Sequence, residues 1–284
     1  MHKMREFLLW RNCTNQCDFC WQCKMGDMET LLSHEEMLTC INETIDKIKN
    51  INKGDDVLLV GGEILASYND EVNKYMHRLI DLCIELVKTG YIRFLYINTN
   101  LMYEDRVNLV YLLDKVKGIE DRLKFTTSYD IRGRFRSEKS RATFLDNLKY
   151  IRDNYPKVNV VVNTIITKQM TNSCFNFNRF KKEYGIKYIN FIPYIPVKDN
   201  RSMDVDFKSI VKVLLQNEKK YPGYIKFYIK DLDMNQNKIL YEYHKNKGYI
   251  ECTSEYGECG HNINFRKVTG DGCYICKLKD LFGY

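Results

Sequence analysis

The chain has 284 residues, 44% hydrophobic and 29% charged, with only 15 Gly and 4 Pro, a composition that excludes disordered and fibrous classes. Its 44 Lys and Arg against 37 Asp and Glu leave a formal net charge of +7, but the positive residues are scattered, so no concentrated nucleic-acid footprint is visible. Apolar runs such as Val57–Val60 and Phe94–Ile97 fall far short of the ~20 residues needed to cross a bilayer, and the short apolar stretch near the N-terminus has no cleavage site; the chain reads as soluble and cytoplasmic, with no membrane partner.

In chain order, short β-branched or aromatic runs alternate with longer amphipathic stretches. Strands are expected at Arg5–Trp10, Val57–Val60, Ile92–Asn98, Leu123–Ser128, Val158–Thr164 and Lys187–Ile192. Helical patterns lie near His34–Asn50, Asp70–Thr89, Tyr103–Val116, Lys139–Asn154, Thr171–Tyr184 and Val205–Lys220. Ser33 and Glu36 form a capping-box pattern before the first helix, and Gly90 closes the second as a C-terminal glycine does. Successive βα units imply a parallel α/β sheet with crossover helices, a pattern that an open doubly wound sheet and a partial barrel satisfy equally. The alternation stops at Tyr221-Pro222-Gly223, placing a domain boundary between 1–222 and a cysteine-bearing tail, 223–284.

The 11 cysteines are unevenly spread. Cys13, Cys17, Cys20 and Cys23 lie at the start, Cys252, Cys259, Cys273 and Cys276 at the end, and Cys40, Cys83 and Cys174 singly between. An odd count in two tight clusters disfavours a disulfide framework and fits two metal sites, with the isolated cysteines as small buried hydrophobes. The first cluster, Cys13-Thr14-Asn15-Gln16-Cys17-Asp18-Phe19-Cys20, has the spacing C-x3-C-x2-C directly after the first expected strand, where parallel α/β folds place their chemistry. Three thiolates suit a [4Fe–4S] cluster with one open iron; Cys23 as a fourth ligand would give a ferredoxin-like or zinc site instead.

The spacing, with Phe19 before the third cysteine, resembles the signature of radical S-adenosylmethionine (SAM) enzymes. The resemblance implies a partial (β/α)6 TIM-type barrel with a small C-terminal cysteine-rich extension. It also implies a [4Fe–4S] cluster on Cys13, Cys17 and Cys20 whose open iron chelates SAM. Gly61-Gly62-Glu63 looks like the family's segment that hydrogen-bonds the SAM amino group, with Ile64 where proline is usual. Asn98-Thr99-Asn100 is similar to its Thr-Asn-Gly, Leu101 replacing the glycine, and Thr127-Ser128-Tyr129-Asp130 resembles the Ser-x-Asp segment of its peptide-modifying branch. The implied SAM contacts are Gly61, Gly62, Glu63, Asn100, Ser128, Arg141 and Asn163. Of Arg132, Arg134, Arg136 and Arg141, one is the expected carboxylate clamp, and Arg141 is the choice. Trp21 and Tyr129 are read as packing that also excludes water. In isolation, Gly-Gly after a strand is equally a tight turn, and Ser128 or Asn163 a helix cap.

The tail, with a Gly-Asp-Gly hairpin between Cys259 and Cys273, resembles the SPASM or twitch extension that carries an auxiliary cluster. Cys252, Cys259, Cys273 and Cys276 would ligate a second [4Fe–4S] cluster or zinc, and His261 adds the option of zinc on three cysteines and one histidine. With both clusters bound, the formal charge falls to about +4. The family likeness implies reductive SAM cleavage and hydrogen abstraction from a peptide or protein side chain, fed by a flavodoxin- or ferredoxin-type electron donor. Because the first strand is expected by Arg5, a peptide would be delivered by a separate partner. A nucleoside, nucleic acid or small metabolite is the alternative substrate; a non-catalytic zinc protein binding nucleic acid is the alternative of another class.

Overall fold

A computed structural model describes residues 3–13, 15, 17, 31–130, 134–166 and 176–193, together with 215 and 219. Its elements are β1 (Met4–Leu8), α1 (His34–Lys49), β2 (Asp56–Val60), α2 (Asp70–Lys88), β3 (Leu95–Asn98), α3 (Val107–Lys115), β4 (Leu123–Ser128), α4 (Glu138–Asn154), β5 (Asn159–Ile166), α5 (Phe177–Glu183) and β6 (Tyr188–Pro193). The described residues form two compact units: Met1–Ser128, Arg134–Val162 and Lys182–Lys187 make the first, and the described part of the remainder makes the second. Cys20, Cys23, Trp21, Arg132, Cys174, the boundary near 222 and the four cysteines of the tail lie outside the described residues. Of the expected helix Val205–Lys220, Leu215 and Lys219 are described, and both are helical.

The six strands form one parallel sheet in the order β1-β2-β3-β4-β5-β6. That order separates the two architectures left open above. A doubly wound sheet reverses direction at a switch point, whereas a barrel adds each strand beside the last. Register aligns Glu6 with Leu58, Leu58 with Tyr96, and Tyr96 with Lys124, so these residues share one face. Val57, Leu59, Leu95, Ile97, Leu123 and Phe125 point the other way, each no more than 1% exposed beneath the helices.

The helices bury one stripe each. In α1 the buried positions are Met37, Ile41, Thr44, Ile45 and Ile48, and in α2 Val72, Asn73, Met76, Leu79, Ile80, Cys83, Ile84 and Val87, the three-four spacing of a core-facing face. Each fully buried aliphatic side chain contributes ~1.5–3 kcal/mol. The Ser33–Glu36 capping box forms, and Gly90 follows the C-cap of α2 with φ +67°. The buried side-chain amide of Asn108 in α3 donates to Ala66 O and to Asn73 Oδ1 of α2, each at 3.0 Å. At the N-terminal ends of the strands Arg5 pairs with Asp55, and Arg93 grips both carboxylate oxygens of Asp56.

Several boundaries differ from the sequence reading, and two of the shifts have a visible cause. β3 begins at Leu95 rather than Ile92, because the N–H groups of Tyr91 and Ile92 are taken by Leu86 O at the end of α2. α3 begins at Val107 rather than Tyr103; the Asp105 carboxylate accepts the Val107 N–H, and Asn147 of α4 donates to Tyr103 O, holding that segment out of the helix.

Candidate active site at the strand ends

The site lies within the first unit, on loops at the C-terminal ends of β1, β2, β3 and β4. Parallel strands direct their carboxyl ends to one edge, which brings loops distant in sequence together.

The loop after β1 carries Cys13 and Cys17. Its two ends are pinned by one side chain: Asn12 Nδ2 donates to Leu32 O at 2.8 Å, and Asn12 Oδ1 accepts Leu32 N–H at 2.9 Å. The loop after β2 packs directly beneath it. Gly62 N–H donates to Trp10 O at 2.7 Å and Glu63 N–H to Asn12 O at 2.8 Å. A Cβ on Gly62 would stand 2.1 Å from Asn12 O, and one on Gly61 2.7 Å from Trp10 O, so only glycine permits this approach. The Tyr68 hydroxyl sits within donating distance of Glu63 O (2.8 Å) and Asn12 O (3.0 Å), and burial pushes its phenol up, keeping it protonated.

Glu63 does not face outward. It is fully buried. Oε1 accepts Leu65 N–H and the Thr99 hydroxyl at 2.9 Å each, and Oε2 accepts the Asn100 N–H. Burial pushes its carboxyl up to about 7, against the opposing pull of those hydrogen bonds and of the Arg134 charge.

Asn100 is also committed to the protein. Its Oδ1 accepts Met102 N–H at 2.6 Å, its carbonyl accepts Arg134 Nη2 at 3.0 Å, and its Nδ2 points at Cys13 Sγ, 3.5 Å away. Leu101, at the position of the glycine in the resembled turn, keeps that turn's left-handed backbone with φ +55°. Its side chain is wholly buried and its carbonyl accepts Asn147 Nδ2 at 2.9 Å.

Arg134 joins three of these loops. Nη2 lies 3.4 Å from Thr127 Oγ1 as well as reaching Asn100 O, its own carbonyl accepts Asn15 Nδ2 at 3.2 Å, and it is 4% exposed. Of Arg134, Arg136 and Arg141 it is therefore Arg134 that stands at the strand ends. Arg141, the sequence-based choice, lies in the first turn of α4 beside Glu138 at 3.7 Å, and Arg136 is exposed. Ser128 ends β4 half-buried. In the second unit, Asn163 O accepts Tyr129 N–H at 2.9 Å, and Tyr129 packs its ring on Phe180 at 4.4 Å between centroids.

Asn12, Asn15, Tyr68 and Thr99 were not singled out from sequence. Asn15 offers a signal in hindsight, as an amide set between two thiols of a C-x3-C; its Nδ2 donates to Cys17 Sγ at 2.7 Å and its N–H to Cys13 Sγ at 3.4 Å. The donor set fits an iron–sulfur group: the sulfurs of Cys13 and Cys17 receive N–H donors, which stabilise thiolate ligands.

No family model and no curated protein sequence matches the chain. Solved structures do. A native anSMEcpe with bound AdoMet and Kp18Cys peptide aligns with a TM-score of 0.55 at 12% identity, covering 86% of this chain and 67% of that one. A tagged anSMEcpe with bound AdoMet aligns with a TM-score of 0.53 at 12% identity over 91% of this chain and 65% of that one. Native anSMEcpe with bound AdoMet gives 0.51 at 13% identity, over 78% and 62%. The chain has the α/β partial-barrel fold of these structures. It spans less than two thirds of the length of the latter two proteins. Among the described residues no helix is long and apolar enough to cross a membrane.

Proposed function

We propose that this protein is a radical SAM enzyme that abstracts hydrogen from a peptide or protein side chain, with Cys13, Cys17 and Cys20 holding a [4Fe–4S] cluster. The observation that carries the reading is the seating of Cys13 and Cys17 on the loop after β1, each sulfur receiving amide donors. When bound, the cluster supplies the electron that reductively cleaves SAM and so starts the hydrogen abstraction. The chain's own residues provide the frame. Gly61 and Gly62 let the β2 loop press on the cysteine loop, so a SAM amino group there meets main chain, the Glu63 side chain being engaged by Leu65, Thr99 and Asn100. Ser128, the last residue of β4, and Asn163, within β5, are assigned to SAM as polar groups. Arg141, expected as the carboxylate clamp, lies beside Glu138 in α4, and it is Arg134 that stands near the site, holding the loops after β3 and β4 in place.

The peptide class is supported by the fold likeness to anSMEcpe, a protein solved with a peptide bound, and by the Thr127-Ser128-Tyr129-Asp130 segment. A second cluster is assigned to Cys252, Cys259, Cys273 and Cys276, a flavodoxin- or ferredoxin-type protein to electron delivery, and a separate partner to peptide delivery.

The test is anaerobic reconstitution followed by iron and sulfide counts, visible absorbance and assay for 5′-deoxyadenosine. Brown protein, absorbing near ~400 nm, that releases 5′-deoxyadenosine from SAM is expected. Replacing Cys13, Cys17 and Cys20 with Ala should abolish that release while iron bound by the tail persists. Colourless protein with stoichiometric zinc, or undiminished cleavage in the triple variant, overturns the proposal.

A further inference from the structure

The two described cluster cysteines are each met by the side-chain amide of an asparagine from a different loop. Asn15 Nδ2 lies 2.7 Å from Cys17 Sγ and 3.2 Å from Arg134 O. A carbonyl only accepts, so this geometry fixes the nitrogen rather than the oxygen on that side, and the two amide hydrogens serve the two acceptors. Asn100 is oriented in the same way by its other end: Oδ1 accepts Met102 N–H, leaving Nδ2 toward Cys13 Sγ at 3.5 Å. Both asparagines are 8% exposed, and so is Cys17. The C-x3-C-x2-C spacing asks only for the thiols, so neither asparagine is needed to form the motif.

We propose that Asn15 and Asn100 are positioning residues that set the reduction potential of the cluster by donating hydrogen bonds to Cys17 and Cys13; the proposal rests on the cluster assigned above. Reduction adds one negative charge shared among iron and sulfur. An N–H aimed at a ligand sulfur stabilises that added charge, and in a buried site it does so with little screening. Both donors therefore raise the potential, Asn15 more than Asn100 because its contact is shorter. Arg134 holds the stronger donor in place through its carbonyl.

The experiment is an EPR-monitored redox titration of reconstituted full-length protein, following the reduced-cluster signal that changes on adding SAM. Asn15→Ala should move the midpoint to more negative potential, Asn15→Asp further because it adds a charge, and Asn100→Ala by less than Asn15→Ala. A midpoint does not depend on how much protein is loaded, so incomplete reconstitution still reads. Should Asn15→Ala take up no cluster, Asn100→Ala tests the same effect on the other sulfur. Midpoints that coincide with wild type overturn this inference and leave the radical SAM assignment standing. A wild type that binds no cluster overturns both.

Discussion

The carboxylate of Glu63, at the end of β2, accepts the backbone N–H of Asn100, at the end of β3, inside the protein. This single contact stitches two loops that the sequence separates by 37 positions, and it turns a residue expected to greet a ligand into part of the wall behind it. Glu63→Gln replaces one accepting oxygen with an NH2 group that faces an N–H from either Asn100 or Leu65. Leaving one buried donor unmet costs ~1–3 kcal/mol. Urea unfolding at pH 4, where the group is protonated in both states, is expected to show that loss as a lower midpoint with an unchanged slope. An unaltered midpoint would place the side chain elsewhere.

The same burial gives stability a pH dependence of a particular sign. Folded protein holds the Glu63 proton up to about 7, whereas the unfolded chain releases it near 4.5. Between those values the folded state binds more protons, so this group's contribution is complete below 4.5, declines as pH rises, and is lost above about 7. The change across the window is ~3 kcal/mol. Wild type and Glu63→Gln should therefore differ most at low pH and converge toward pH 8. Parallel stability profiles for the two proteins would refute it.

Gly62 and Gly90 are both needed as glycine, for opposite reasons. A Cβ on Gly62 meets Asn12 O at 2.1 Å, a backbone atom that cannot step aside without moving the cysteine loop. Around Gly90 nothing lies within 4 Å, and the constraint is φ +67° alone. Gly90→Ala should cost ~1–2 kcal/mol and leave iron binding unaffected. Gly62→Ala should cost more and lower the iron content at Cys13, Cys17 and Cys20 in the same preparation. Equal iron in the two variants would show that the β2 loop does not support the cysteine loop.

Asn12 makes a related prediction from the other side of that contact. Its amide accepts from and donates to the main chain of Leu32, closing the loop that holds the cysteines. Asn12→Asp keeps the acceptor but sets a carboxylate oxygen against Leu32 O, so cluster uptake should slow several-fold while the unfolding midpoint of the sheet changes little. Iron incorporation followed against time separates this from a general loss of folding.

Where the sequence was informative, one local pattern carried the message. Val57–Val60 and Leu123–Ser128 are runs of apolar or alternating residues bounded by polar ones, and the ladders of β2 and β4 coincide with them to within a residue. The Ser33–Glu36 box is equally local. Where the reading slipped, a distant partner decided: Leu86 claims the start of the expected third strand, and Asn147 the start of the expected third helix. The candidate site divides in the same way. Cys13, Cys17, Gly61 and Gly62 were legible because their chemistry or size admits no substitute. Asn15 was not, because its second acceptor, Arg134 O, lies 119 residues away, and Arg134 could not be told from Arg136 or Arg141 until burial separated them.

Leu101 shows how the protein tolerates a departure from the resembled turn. Its φ of +55° costs ~1–2 kcal/mol for a residue with a Cβ, and burying the whole leucine side chain returns ~1.5–3 kcal/mol. Asn147, itself fully buried, then fixes the carbonyl through its Nδ2. Both Leu101→Ala and Leu101→Gly delete the side chain and leave a cavity, a loss of ~2–5 kcal/mol. At an ordinary position Gly would be the worse of the two by ~0.5–1 kcal/mol. Here the left-handed backbone reverses the order, and Leu101→Gly should unfold at higher denaturant than Leu101→Ala by an amount equivalent to ~1 kcal/mol. The opposite ranking would mean that the turn after β3 is not held in the left-handed conformation, and with it that Asn100 is not presented to Cys13 as described.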